Sequence, residues 1–292
     1  MADKGWTAKS HGSKSGYGIF RFFLTHFGIG FAYANLTYVV PHFMLFTPQQ
    51  TSAVWFYYRK VFGQSIPKAF CSLYMHYFRF GQCLIDKMAI QCGLKDKYNY
   101  EFENYDAFLR LLDSGRGAII IGAHVGAWQM GSNFFGNYGK RMHIVMVDAE
   151  YEHVKRYMEA SDKNYSIIPV NKTDGFEIAL SIKRALNAGE TVCIQGDRYV
   201  NNERVLTTKF LGLEADFPEG PFLLAAKLNV PVAFYFATRQ KRGYKFAFTI
   251  VDAQTEGIKF SKEELLDKYV AALEKVVKTD PHQWFNLYRF WK

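Results

Sequence analysis

Between Phe22 and Tyr58 the chain carries no acidic or basic side chain. So long an uncharged run has few destinations: a membrane, its interface, or the core of a large domain. Its first part, Phe22 to Phe46, is mostly aromatic and aliphatic and exceeds the roughly 20 residues that a spanning helix needs. His26, Asn35, Pro41 and His42 interrupt it, and Gly28 and Gly30 weaken a helix, so a helix lying in or dipping into the interface fits as well as a span. Lys4, Lys9, Lys14 and Arg21 precede the run; against a bilayer they would form a cytoplasmic flank facing anionic lipid. Two rival readings use the same residues. A basic start, an apolar run and Ala32-Tyr33-Ala34 imitate a secretory signal, although the apolar character continues past Ala34 and His26 sits inside it. Alternatively the run is a buried helix of a soluble domain and the flanking charges are merely solvated.

Aromatic residues reach 17% of the chain, an excess that the headgroup boundary of a membrane would explain, because it accommodates rings with one polar edge. A net charge of +9 asks for an anionic partner: nucleic acid, a phospholipid surface or phosphorylated substrates. Cys71, Cys83, Cys92 and Cys193 lack C-x-x-C spacing, which disfavours a structural zinc or a disulfide scaffold. From Thr51 to Leu94 the pattern stays helical and aromatic, with a break around Gly63 to Pro67 that divides two helices of a lid or platform. Residues 1–94 thus read as a membrane-associated helical segment, and residues 95–292 as one continuous body on which those helices pack.

After Lys95 short β-branched or aromatic runs alternate with amphipathic stretches, the pattern of strands and crossover helices. Asn104 is placed to cap a helix through Leu112 that Gly115 ends, and Gly117 to Ile121 reads as a buried strand. Arg141–Val147, Ser166–Val170, Thr191–Gln195, Thr207–Leu211, Val230–Ala237 and Tyr244–Val251 read as further strands. Helices are expected over Tyr151–Ser161, from an Asp174 cap to Ala188, over Pro218–Leu228 and over Lys262–Lys278. The fold class is α/β, a single mixed-sheet domain flanked by helices, with the aromatic membrane-associated segment at its N-terminus.

In open α/β sheets ligands gather at the carboxyl ends of strands. GAIIIGAHVGAWQMG places His124 just beyond such an end, with Trp128 nearby and Gly122, Gly126 and Gly131 allowing close approach. ETVCIQGDRYV places Asp197 and Arg198 beyond another. Pro218-Glu219-Gly220-Pro221 stands at a helix start that could meet an anion. No G-x-S-x-G elbow, G-x4-G-K-[ST] loop, H-E-x-x-H pair or dinucleotide glycine fingerprint occurs, which removes those hydrolase, nucleotide, zincin and dehydrogenase readings. No nucleic-acid module signature accompanies the basic residues.

Four blocks in order, GRGAIIIGAHVGAWQMG, QGDR, TKFLGLEADFPEGPFLLAAKLNVPV and the terminal DPHQWFNLYRFWK, together with the aromatic N-terminal helix, resemble the bacterial lipid A biosynthesis (lauroyl/myristoyl) acyltransferases of the lysophospholipid acyltransferase superfamily. The resemblance covers nearly the whole chain. It implies an acyl donor on acyl carrier protein or CoA, a lipid acceptor, an anionic membrane surface, and work at the cytoplasmic face of the inner membrane. It implies neither a metal nor a cofactor beyond that co-substrate, and no nucleic-acid partner.

The family's catalytic signature is a His followed, after four residues, by Asp or Glu; here His124 is followed at that distance by Gln129. The resemblance makes His124 the general base, with the acid position fixing its tautomer and supporting imidazolium. Gln129 can accept a hydrogen bond from the ring but carries no charge. Three readings stay open: Asp197 supplies the missing carboxylate, the acceptor is a better nucleophile such as an amine, or the protein is a lipid-binding member without turnover. Arg198 is a candidate phosphate donor, since a guanidinium binds phosphate bidentately. Lys209 and Arg239 have only generic phosphate-site credentials, and Trp128 is expected to pack in the core or an acyl pocket. An oxyanion would fall to backbone N–H groups near Gly122 to Gly126 or to a nearby Arg. Trp284, Tyr288 and Trp291 are expected to line an acyl groove or to pack a last helix.

Overall fold

A computed structural model describes residues 14–130, 141–146, 165–170, 175–199 and 204–292. Helices α1 (Lys14–Phe46), α2 (Pro48–Phe56) and α3 (Ile66–Gln91) precede the alternating part, α2 running into a π-turn at Tyr57–Val61. Then follow β1 (Asn99–Glu103), α4 (Tyr105–Asp113), β2 (Ala118–Gly126), β3 (Met142–Met146), β4 (Tyr165–Pro169), α5 (Gly175–Asn187) and β5 (Thr191–Gln195). A hairpin, β6 (Val205–Phe210) and β7 (Leu213–Pro218), leads to α6 (Glu219–Leu228), β8 (Val232–Gln240), β9 (Gly243–Val251), the single turn α7 (Ala253–Glu256) and α8 (Lys262–Thr279).

The sheet has seven strands in the order β1-β9-β8-β2-β5-β3-β4, parallel throughout except for the antiparallel β8–β9 pair. β2 sits near its middle between β8 and β5, and all nine of its residues are buried. A strand covered on both faces has no solvent side, so its sequence is a continuous apolar run rather than an alternation. The chain is therefore mixed α/β, with helices flanking one large mixed sheet.

The expected helix over Tyr151–Ser161 and the Asp174 cap lie outside the described residues. Elsewhere the differences have local causes. β1 is a partly exposed edge strand with acids at Glu101 and Glu103, and β7 carries acids at Glu214 and Asp216 and ends in Pro218, so both read as loop in sequence. Leu211 (φ 52°) and Gly212 (φ 87°) make the tight turn of the β6–β7 hairpin, where two positive φ values match strand twist. Asn104 is itself left-handed (φ 58°) and does not cap α4; its side-chain amide donates to the Phe248 carbonyl at 3.0 Å. The terminal segment is not a helix. Pro281 cannot extend α8, and after one 3-10 turn the chain runs extended, bridging Val125 through Trp284 and Ala215 through Trp291.

Those bridges pack an aromatic cluster in which Trp284, Phe290 and Trp291 surround Phe210 at ring separations of 5.1 to 5.9 Å. The helical layer is tied to the sheet by a buried polar group. Asp86 of α3 accepts from Arg239 Nε of β8 (2.9 Å), from the Tyr98 hydroxyl (2.9 Å), and from the hydroxyls of Tyr33 of α1 and Tyr244 of β9.

Candidate active site

Parallel pairing puts Gly122 of β2 opposite Gln195 of β5, and two residues onward on each chain stand His124 and Asp197. Neither strand alone makes a site; their register does. His124 lies within β2 rather than beyond its end, because Val125 bridges Trp284 and Gly126 rejoins Ala237 after a register shift that extends the strand. Only glycine fits at Gly126: φ is 53°, and a Cβ there would stand 2.1 Å from the Ala237 carbonyl oxygen. The close approach also admits Gln283, which accepts from Arg239 N–H at 2.6 Å and donates to its carbonyl at 2.8 Å, stitching the terminal segment beside the site.

Asp197 holds His124 twice. Its Oδ2 accepts the His124 backbone N–H at 2.8 Å, while Oδ1 lies 2.8 Å from ring Nδ1. Trp284 Nε1–H donates to Oδ2 at 3.0 Å, and Phe285 N–H donates to the His124 carbonyl at 2.8 Å. The Asp197 side chain is 1% exposed and that of His124 8%. Burial alone would raise the Asp197 pKa, but the adjacent His124 ring, its hydrogen bonds and the Arg198 charge outweigh it and hold the carboxyl below its ordinary value. An ionised carboxylate is acceptor-only, so Nδ1 carries the proton and Nε2 is left as the basic nitrogen. Nε2 makes no hydrogen bond among the described residues.

The expected residues divide around this pair. Trp128 lies on the turn after β2 with its ring 4.9 Å from that of His124, and Phe285 stands 6.2 Å beyond it. Phe285 in turn meets Phe80 at 5.0 Å and His76 at 5.7 Å, so the wall toward α3 is aromatic. Gln129 does not take the role given to it at the ring: its amide oxygen accepts from the Lys87 ammonium of α3. Arg198 donates from Nη2 to the Phe285 carbonyl at 2.6 Å, which fixes its charge beside Asp197. The His124 N–H, one of the expected oxyanion donors, is occupied by Asp197.

Three other candidates lie elsewhere. Lys209 is exposed opposite Glu214 on β6, and alternation points it away from Phe210, the residue that faces Trp284. Gly220 is exposed in the first turn of α6, where buried Glu219, ion-paired with Lys262, already supplies the negative charge that a helix start favours. Arg239 is not a phosphate site but the partner of Asp86. The contribution of Trp284 to the carboxylate was missed in sequence, where the terminal tryptophans read as packing; an indole N–H beside Asp197 is visible only once the extended tail is in place.

Residues 75–292 match the family model described as bacterial lipid A biosynthesis acyltransferase. No curated protein matches the chain.

Proposed function

The chain belongs to the bacterial lipid A biosynthesis acyltransferase family, and we propose that it moves a fatty acyl chain from a thioester of acyl carrier protein or CoA to a hydroxyl or amine of a lipid acceptor, at the cytoplasmic face of the inner membrane. His124 is the general base. Its Nε2 takes the acceptor proton as the acceptor oxygen or nitrogen attacks the thioester carbonyl carbon, forming a tetrahedral oxyanion. Collapse breaks the C–S bond and the leaving thiolate receives the proton from imidazolium, returning His124 to its neutral form. Asp197 stabilises the imidazolium while it exists and holds the tautomer that leaves Nε2 free to act. Arg198 lends positive charge beside the pair, and the Trp128–Phe285 wall offers apolar packing to the acyl chain.

The observation that carries this reading is the double grip of Asp197 on the backbone and ring of His124. It supports the reading in which the carboxylate missing at Gln129 comes from the end of a different strand. The test is transfer of a radiolabelled acyl chain from acyl carrier protein and from CoA to extracted lipid, by wild type and His124→Ala. Loss of about 10³-fold or more in His124→Ala, with an unchanged melting temperature, is the expected result. Equal transfer by both would remove His124 from the chemistry, and no transfer by either would favour a lipid-binding protein.

A further inference from the structure

The stretch His26–Phe46 of α1 is, among the described residues, the one helix long and apolar enough by composition to cross a membrane. Its packing argues otherwise. Tyr33 lies five residues past the break in α1 at Gly28 (φ 79°, ψ 173°), about 8 Å along the axis at 1.5 Å per residue. Its hydroxyl donates to Asp86 and accepts from Arg239 Nη2 at 3.0 Å, and those two side chains are 0% and 7% exposed in the body of the protein. Leu36 packs against Gly81, and Thr47 Oγ1 meets the Tyr77 hydroxyl at 3.0 Å. α1 thus runs antiparallel along α3 from Tyr33 to Thr47, and α3 itself lies on the body through His76, Phe80 and Asp86. A crossing α1 would draw an ion pair, α3 and the sheet edge into hydrocarbon, where charges and irregular backbone cost several kcal/mol each.

We propose that α1 lies flat in the headgroup region of an anionic bilayer instead of crossing it, an inference that rests on the membrane-associated acyltransferase reading above. Ala32, Leu36 and Val40 form the buried stripe toward the body. The opposite side exposes Phe31, Tyr38 and Leu45, whose seven-residue spacing places them on one face. Eleven of the fourteen exposed large apolar side chains among the described residues belong to α1 and α3. Exposed Lys68 stands between exposed Ile66 and Phe70 at the start of α3, exposed Lys60 precedes them in the π-turn, and the whole chain is at +9. An aromatic band bordered by cations matches an anionic lipid surface, where rings sit at headgroup level and lysines meet phosphate.

The test uses the full chain with Cys71, the exposed native cysteine, changed to Ser, and an environment-sensitive fluorophore attached after Phe31→Cys, Tyr38→Cys or Leu45→Cys. It is bound to sealed vesicles of phosphatidylglycerol and phosphatidylcholine that carry depth-graded lipid quenchers. All three sites should report one shallow depth, roughly 5–10 Å below the headgroups, and binding should weaken about tenfold or more without phosphatidylglycerol. Depths that differ by about 20 Å between positions 31 and 45 would show a span, at 1.5 Å per residue, and overturn the proposal. Absence of quenching at every site would mean that something other than lipid covers the face. His124→Ala should bind and quench as wild type, so failure of the catalytic reading leaves this readout unmoved, and the reverse.

Discussion

Two carboxylates are buried equally deeply in this protein and do opposite things. Asp86 accepts from one guanidinium and three phenols, and its partner Arg239 has Nε on Asp86, Nη1 on the Gln240 carbonyl and Nη2 on Tyr33. Burial works against the Arg239 charge, yet Asp86 and the surrounding phenols hold its pKa above the ordinary arginine value. Each nitrogen of that guanidinium is engaged, so the pair has none to offer a substrate. Asp197 accepts from three donors, and its partner is an imidazole with one nitrogen held and the other making no hydrogen bond among the described residues. Burial and a basic partner mark both centres; a partner ring nitrogen that makes no hydrogen bond among the described residues marks only one. The first is a lock that fastens α1 and α3 to the sheet, the second the pair proposed above as base and carboxylate.

Breaking the lock should show in stability and not in chemistry. Asp86→Asn leaves Arg239 buried without its counter-charge, and a loss of about 3–5 kcal/mol in unfolding free energy is expected. Denaturant titration measures it, while turnover per folded molecule should stay within about threefold of wild type, less than 1.4 kcal/mol of barrier. A collapse of turnover at preserved stability would erase the distinction between the two centres.

Acid should act on the Asp197 centre in a defined window. Its pKa lies below the ordinary aspartate value in the folded protein, so its stabilising contribution is complete above that ordinary value and is lost as pH falls through the lower folded one. The stability difference between wild type and Asp197→Asn should therefore shrink as pH falls below about 4. Thermal melts across pH give the curve; a gap that widens in acid would mean that Asp197 is protonated in the folded state. The smallest effect belongs to Gln129→Glu. The new carboxylate would meet Lys87, not the imidazole, so turnover should change by less than about threefold. A tenfold gain would place that position at the base after all.

These centres were unequally legible in the sequence. β2 and β5 announced themselves as apolar runs ending in glycine, and His124 and Asp197 each stood where such a run stops. Their pairing was open, since no sequence pattern states that β5 lies beside β2 in a register that aligns Gly122 with Gln195. Gln129 has the spacing of the acid position, but five residues on from His124 the chain has turned toward α3 and Lys87. Asp86 carried a usable signal, because on a 3.6-residue period it falls in line with Ala69, Leu73, His76, Cys83 and Ala89, and a carboxylate on a buried stripe requires a partner. Arg239 could not be assigned to it, as that partner is 153 residues away. The terminal segment misled for a different reason: its aromatic spacing suits a helix face, but Pro281 and two isolated bridges decide for an extended strand.

The central claim is that His124 and Asp197 work as one unit, and a double-mutant cycle on acyl transfer addresses it directly. His124→Ala, Asp197→Asn and the double variant are compared with wild type under the same donor and lipid extract. Each single change should cost about 10³- to 10⁴-fold, and the double variant should be no slower than the slower single one. Losses that multiply would mean that the two residues act independently, and the proposed base and its carboxylate would not be a catalytic pair.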